Sequence, residues 1–411
     1  MGNRSRIGAF PVRLVAMDCH GHDSAGQVQA GAHARPGLNL LLVCQDPGWS
    51  RAVHDAMDAR NVDLCDARAA IARLACKTPP YSHLLLQPHC DDGLFDALFQ
   101  LTSEAAGSET ELLMLGGRPV HRPHLHVISS ATSRSVQEAL MVGPRSRQSR
   151  SRPLDLNELR AALDAGMISA RYQPIVRMSD RRPVAVEVLA RLDHPDRGTV
   201  LPDRFIPQIE DAGLAAQLTE LITARAFAEL GPLVRGARPL IITLNFPLDV
   251  LMQDDAIAAL DRQRNAAGIP ARLVAIELTE SMPVQDFDAL RRVLERLRSL
   301  GYRAAIDDVS PTVPGLPELL TQPFTTLKLD KDFVARSATD AATMRALRDT
   351  IDRAHQAGMQ VVAEGVETQA GWDLVASLNV DGVQGYLVAR PLPAAALPVW
   401  LDTWTTNPSV S

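Results

Sequence analysis

Short apolar runs recur from Leu38 to the C-terminus, and stretches with helical spacing separate them. The first set reads LNLLLVC, VDLC, SHLLLQ, ELLMLGG and LHVISS, with an amphipathic stretch from Ser50 to Arg60 after the first run. Such alternation predicts a small doubly wound α/β domain over residues 37–143. A second set reads ISARYQPIV, VAVEVLARL, PLIITLNF, LVAIELTE, RAAIDDV, TTLKLDK, QVVAEGVE and GVQGYLVA, with helical segments around 204–235, 249–267, 286–300, 341–357 and 393–403. Eight strands with interleaved helices predict a TIM-like (β/α)8 barrel over residues 155–405, whose chemistry belongs at the C-terminal strand ends. Only SDRRP joins the first two of these strands, too little for a helical crossover, so they are expected to pair antiparallel. LDLNELRAALDAG reads as a helix with Asp155 near its start and Gly166 at its end. Residues 1–36 carry no sustained period and read as a flexible N-terminal arm. PRSRQSRSRP, within 144–154, reads as the interdomain linker.

Four apolar runs of the second set end in acid or amide side chains: Glu187, Asn245, Glu277, and the adjacent Asp307 and Asp308. The runs lie far enough apart for a strand and its returning helix, so a barrel gathers these ends at one rim. An unpaired carboxylate inside a strand such as VAVEVLA costs several kcal/mol. Several converging oxygens repel one another unless a cation sits between them, so the rim is expected to hold divalent metal.

Composition sets the surroundings. The chain has 411 residues and 46% hydrophobic content, ample for full-sized cores, and a formal net charge of −6. That balance gives no broad basic face, so no DNA partner is expected. No apolar stretch is long enough to span a bilayer, and membrane insertion is not expected. Arg13, Asp18 and several His interrupt any secretory core near the start, which points to a cytoplasmic protein. The five cysteines, Cys19, Cys44, Cys65, Cys76 and Cys90, fall in the first quarter without CxxC spacing and read as reduced packing thiols.

The segments YQPIV, EVLAR, ITLN, IELTE, AIDD, LKLD, AEGVET and QGYLVARPL stand in the order found in EAL-domain cyclic di-GMP phosphodiesterases, from about Leu156 to Trp400. The chain resembles that family. The resemblance implies hydrolysis of cyclic di-GMP to linear pGpG with two divalent cations, Mg²⁺ or Mn²⁺, by a homodimer. Carried over by residue, it implies that Glu187, Asn245, Glu277 and Asp307 hold one ion. Asp307 bridges to a second, held by Asp308, with Glu364 and Gln384 acting directly or through water. Hard oxygen donors without thiolate or imidazole independently suit Mg²⁺ or Mn²⁺. The resemblance also implies that Lys328 supplies fixed positive charge for orienting the attacking water or stabilising the phosphorane. Gln173 and Arg191 are the ligand contacts outside the metals, a guanidinium being suited to bidentate phosphate binding. The resemblance further implies that Glu367 is either a partner of Lys328 or a substrate contact, and that Glu280 anchors the loop beside the metals.

Two departures temper that implication. After Asp308 the family continues with Phe-Gly and a Gly/Ser-rich loop, whereas this chain reads VSPTVPG, whose prolines and β-branched residues cannot take the same path. The first domain resembles a response-regulator receiver in order, yet its first strand runs into Cys44, Gln45 and Asp46 and its third ends at Gln87, so the phosphoacceptor is missing. It reads as a receiver-like domain kept for docking a signalling partner or for dimerisation. The competing function is a weak or inactive EAL-type receptor that binds cyclic di-GMP and acts through protein contacts.

Overall fold

The computed structural model describes residues 39–57, 62–75, 81–87, 92–103, 111–116, 126–128, 130–141, 154–236, 239–279, 284 and 286–406. The arm at 1–36 and the linker stretch 144–153 lie outside the described residues, as do Cys19, Cys76 and Cys90. Cys44 and Cys65 are free thiols.

The first sheet contains β1 (Leu40–Val43), β2 (Val62–Cys65), β3 (His83–Leu86), β4 (Glu111–Leu115) and β5 (His126–Ile128). All pair in parallel, in the order β2-β1-β3-β4-β5. This is the doubly wound order of flavodoxin-like folds, as expected of a receiver-like domain. Every residue of β1 and β3 is buried, which is why both read as unbroken apolar runs rather than alternating ones. Asp46 caps the helix Pro47–Ala56 by accepting from the amides of Gly48 and Trp49. Gln87 Oε1 accepts from the amides of Gln45 at 2.9 Å and Asp46 at 3.1 Å. Where a receiver would carry its phosphoacceptor, this chain carries an amide that ties down the β1 loop.

The second sheet contains β6 (Ile168–Arg177), β7 (Pro183–His194), β8 (Gly198–Val200), β9 (Ile241–Pro247), β10 (Val274–Thr279), β11 (Arg303–Val309), β12 (Thr326–Leu329), β13 (Gln360–Ala363) and β14 (Gly382–Val383). The order is β6-β14-β13-β12-β11-β10-β9-β7-β8, and a β6–β7 pairing closes eight of them into a barrel. β6 is antiparallel to both neighbours, as the SDRRP connection requires. β8, three residues long, folds back on β7 outside the ring and was too short to leave a periodic signal. The helix Leu156–Asp164 opens with a reciprocal capping box between Asp155 and Glu158, and Gly166 ends it at φ +69°.

The two sheets share one core. Helices Ala67–Ala75 and Asp92–Ser103 pack on the C-terminal helix Ala396–Thr406, where Arg68 meets Asp402 at 3.0 Å. A single apolar cluster runs from Leu41 and Ile71 through to Tyr172, Leu392 and Trp400. Among the described residues no helix is long and apolar enough to cross a membrane.

Candidate functional site

Each of the eight barrel strands contributes to one ring. Gln173 lies on β6, Glu187 on β7, Asn245 on β9, Glu277 on β10, Asp307 on β11 and Lys328 on β12. Glu364 and Gln384 follow immediately after β13 and β14. Register explains the convergence: Gln173 pairs with Glu187, Asn245 with Glu277, and the Gln384 amide donates to Ala363 O beside Glu364. Strand side chains alternate, so Ile175 and Ala185 share the face of Gln173 and Glu187, and with Val362 they form an apolar floor beneath the ring.

The Lys328 ammonium occupies the middle. It lies 3.2 Å from Glu187, 3.1 Å from Glu277, 2.8 Å from Asp307 and 2.6 Å from Glu364. Its side chain is 1% exposed, and the four carboxylates are 1–15% exposed. Burial opposes its charge, but Asp307, Glu187, Glu277 and Glu364 outweigh it and hold the ammonium protonated. Burial also pushes the Glu187 carboxyl up, yet Lys328 and hydrogen bonds from Gln384 and Asn245 hold it below the usual range. The others go the opposite way. Burial raises Glu277 well above an ordinary carboxyl, with Lys328 opposing and three neighbouring acids adding. Burial raises Asp307, and Glu364 is pushed up to about 8 against the pull of Lys328. Burial and Asp307 bring Asp308 to about 6.

Asp307 and Asp308 would point to opposite faces of a regular strand. Instead the β11–β12 register shifts between Ile306 and Val309, and Asp308 takes φ +50°. Asp is among the few residues that accept this left-handed conformation, and the bulge keeps both carboxyls at the rim. Oxygens of Asp307, Asp308 and Glu364 lie within 4.8 Å of one another, as do those of Glu187, Glu277 and Asp307. The VSPTVPG stretch that follows is a closed turn. Ser310 and Thr312 hydroxyls meet at 2.9 Å and the Val313 amide donates to Ser310 O. Its positive φ values fall on Asp308 and Gly315 at either end, and Val309, Thr312 and Val313 take none, as their branched side chains demand.

These residues fit divalent cations. With every acid ionised, four carboxylates around one ammonium leave a net charge of −3 in a buried ring. The raised proton affinities record that deficit: in the ion-free ring, protons take the place of cations. Gln384 Oε1 is buried and accepts no hydrogen bond, although its Nε2 donates to Glu187 at 2.6 Å and Gln173 at 3.1 Å. An unpartnered carbonyl oxygen beside acids is a further hard donor.

Of the remaining sequence candidates, Arg191 and Glu367 are among the described residues. Arg191 is buried on β7, with one guanidinium nitrogen donating to Ala190 O at 2.8 Å. Glu367 is exposed on the loop after β13. Glu280 lies outside the described residues. The sequence reading missed the Ala389 carbonyl, which accepts from Gln173 Nε2 at 3.1 Å. A backbone group leaves no residue-type signal.

The sequence profile of the EAL domain matches residues 156–391. The chain is 33% identical over 248 residues to the cyclic di-GMP phosphodiesterase NbdA of Pseudomonas aeruginosa, covering 60% of this chain and 32% of NbdA. It is 31% identical over 247 residues to the bifunctional diguanylate cyclase/cyclic di-GMP phosphodiesterase MucR of the same organism, covering 59% of this chain and 36% of MucR. Among solved structures it resembles the MucR phosphodiesterase in complex with c-di-GMP, with a TM-score of 0.56 and 28% identity over 59% of this chain and 98% of that one. The chain thus spans about a third of the length of these curated relatives. A ring drawn from eight strand ends, and a profile match over more than half of the sequence, agree on one assignment: the chain belongs to the EAL-domain family.

Proposed function

We propose that the barrel hydrolyses cyclic di-GMP to linear pGpG, with Mg²⁺ or Mn²⁺ held at the ring, in bacterial second-messenger signalling. The observation that carries this reading is the buried surplus of carboxylates around Lys328. Glu187, Asn245, Glu277 and Asp307 would hold one ion, and Asp307, Asp308, Glu364 and Gln384 a second. Bound there, such ions supply positive charge that lowers the pKa of a water and offsets charge developing on phosphate oxygens.

The chain's own groups do the rest. Gln173 and Arg191 line the ring on β6 and β7 and orient the diester, the guanidinium by gripping phosphate oxygens. Water oxygen bonds to phosphorus as the bond to the 3′-oxygen breaks, and the departing 3′-oxygen takes a proton from solvent to become the free hydroxyl of pGpG. Glu364, whose carboxylate lies beside Asp307, Asp308 and Lys328, is placed to take the water's proton once cations have displaced its own. Lys328 places a fixed charge beside the phosphorane oxygens. Glu367, exposed on the loop after β13, is assigned as a substrate contact, and Glu280 to anchoring the neighbouring loop.

Purified protein incubated with cyclic di-GMP and Mn²⁺ or Mg²⁺ is expected to yield pGpG on chromatography. Glu187→Ala should lower turnover by more than about 100-fold, since even partners one step removed from a metal cost roughly 10–100-fold. Cyclic di-GMP bound without any pGpG, at protein concentrations near the substrate's, would overturn hydrolysis in favour of a receptor.

A further inference from the structure

We infer that the N-terminal domain is a positioning element of the ring, acting through the single peptide group between Ala389 and Arg390. The amide of Arg390 donates at 2.8 Å to Ala75 O, the last residue of the helix Ala67–Ala75 in the first domain. The carbonyl of the same peptide, on Ala389, accepts from Gln173 Nε2 at 3.1 Å. Gln173 Oε1 in turn accepts from Gln384 Nε2 at 3.1 Å, and Gln384 Nε2 donates to Glu187 Oε2 at 2.6 Å. Three amides therefore connect a helix end in one domain to an acid of the ring in the other.

The members of this chain are shielded from water. Ala75 and Ala389 are fully buried, Gln384 is 4% exposed and Gln173 is 9% exposed. Linked amide dipoles in such surroundings polarise one another, so loss of one bond weakens the next. Ala75 O also belongs to the last turn of its helix, whose carbonyls lack intrahelical partners and carry partial negative charge. Docking gives that carbonyl a donor. Within the barrel the segment after Gln384 is held by the Leu387 amide on Val366 O and the Ala389 amide on Gly385 O, both at 3.0 Å, and at its far end by Tyr172 and Leu392, which exchange backbone hydrogen bonds of 2.8 and 2.9 Å. Arg390 is thus the point at which the first domain takes hold of this strap. Undocking removes one of the bonds that fix the Ala389–Arg390 peptide, and so loosens the acceptor of Gln173 and, through it, the orientation of Gln384 toward Glu187.

Linkage makes the coupling reciprocal: whatever factor docking adds to cation binding, cation binding adds to docking. The inference rests on the ion-holding ring proposed above, and the test separates the two. Full-length protein is titrated with Mn²⁺ alone, bound ion is counted by electron paramagnetic resonance, and amide hydrogen exchange is followed by mass spectrometry. Mn²⁺ is expected to slow exchange in the helix Ala67–Ala75 by about fivefold or more, at the lower end of typical coupling. In Gln173→Met, which keeps the length but loses the amide, bound Mn²⁺ should still slow the segment around Glu187 but no longer the helix. Mn²⁺ binding with slowed exchange around Glu187 and an unchanged Ala67–Ala75 helix overturns the coupling while leaving the ring's ion site standing. Full slowing of the helix in Gln173→Met overturns the route. Absence of bound Mn²⁺ removes the ion site itself, and the coupling with it.

Discussion

Lys328 and the acids around it set how the ion-free protein responds to pH. Glu364 has a folded-state proton affinity raised to about 8, and Glu277 and Asp307 are raised with it. A carboxyl whose folded value lies above its unfolded one contributes stability that is present at low pH and disappears as pH rises. The window for Glu364 runs from the ordinary carboxyl value near 4.5 up to about 8. Glu187 is shifted the other way and contributes in the opposite sense, but its window lies lower, below the usual carboxyl range. Metal-free protein melted in chelator is therefore expected to lose stability as pH rises from about 4.5 to about 8. Saturating Mn²⁺ should flatten that slope, because cations replace the protons. A melting temperature that rises with pH in chelator would contradict the proton-filled ring. The identities of these groups were legible from sequence, since acids ending apolar strands are too costly to bury singly. Their protonation was not, because it depends on four side chains meeting one ammonium.

At the scale of elements, one glycine fixes the loop that carries Glu364. Gly365 follows Glu364 directly, with φ +64°, and a Cβ there would stand 2.3 Å from Lys331 Cβ. Lys331 opens the helix Lys331–Ser337, so neither side can yield without moving secondary structure. Gly365→Ala combines backbone strain with overlap, and is expected to cost about 2–4 kcal/mol from left-handed strain and overpacking together. Urea unfolding would show the loss, and Mn²⁺ affinity should fall in step because Glu364 is displaced. Unchanged affinity with reduced stability would show that Glu364 is held from elsewhere. The eight barrel strands, their antiparallel start and the helix Leu156–Asp164 were all readable from periodicity, connection length and capping residues. The helices Leu316–Leu319, Lys331–Ser337 and Gln369–Ser377 were not. Each is short and positioned by packing rather than by a sustained apolar stripe. The bulge at Asp308 was equally hidden, since its register shift is a property of two strands together.

For the whole molecule, the sequence leads one to expect two units joined at PRSRQSRSRP, and the structure has two sheets that packing joins. Leu41, Ala70 and Ile71 from the first domain belong to the same apolar cluster as Trp400 and Leu401 on the helix Ala396–Thr406. Trp400 stacks on Trp404 at 5.1 Å, and the Trp404 indole donates to Arg181 O at 2.7 Å, fastening that helix to the barrel. The first domain alone has a modest separate cluster around Leu40, Val53 and Leu113, small for independent stability. Loss of the shared face would expose apolar surface on both units, so their unfolding should be coupled. Calorimetry of the full chain is expected to show one transition with calorimetric and van't Hoff enthalpies in agreement. Mn²⁺ at about 100 times its dissociation constant adds about 2.7 kcal/mol to the folded state, which should move that whole transition upward by several degrees. Two peaks, with only the later one responding to Mn²⁺, would mean that the domains unfold independently and that the shared cluster contributes little to either.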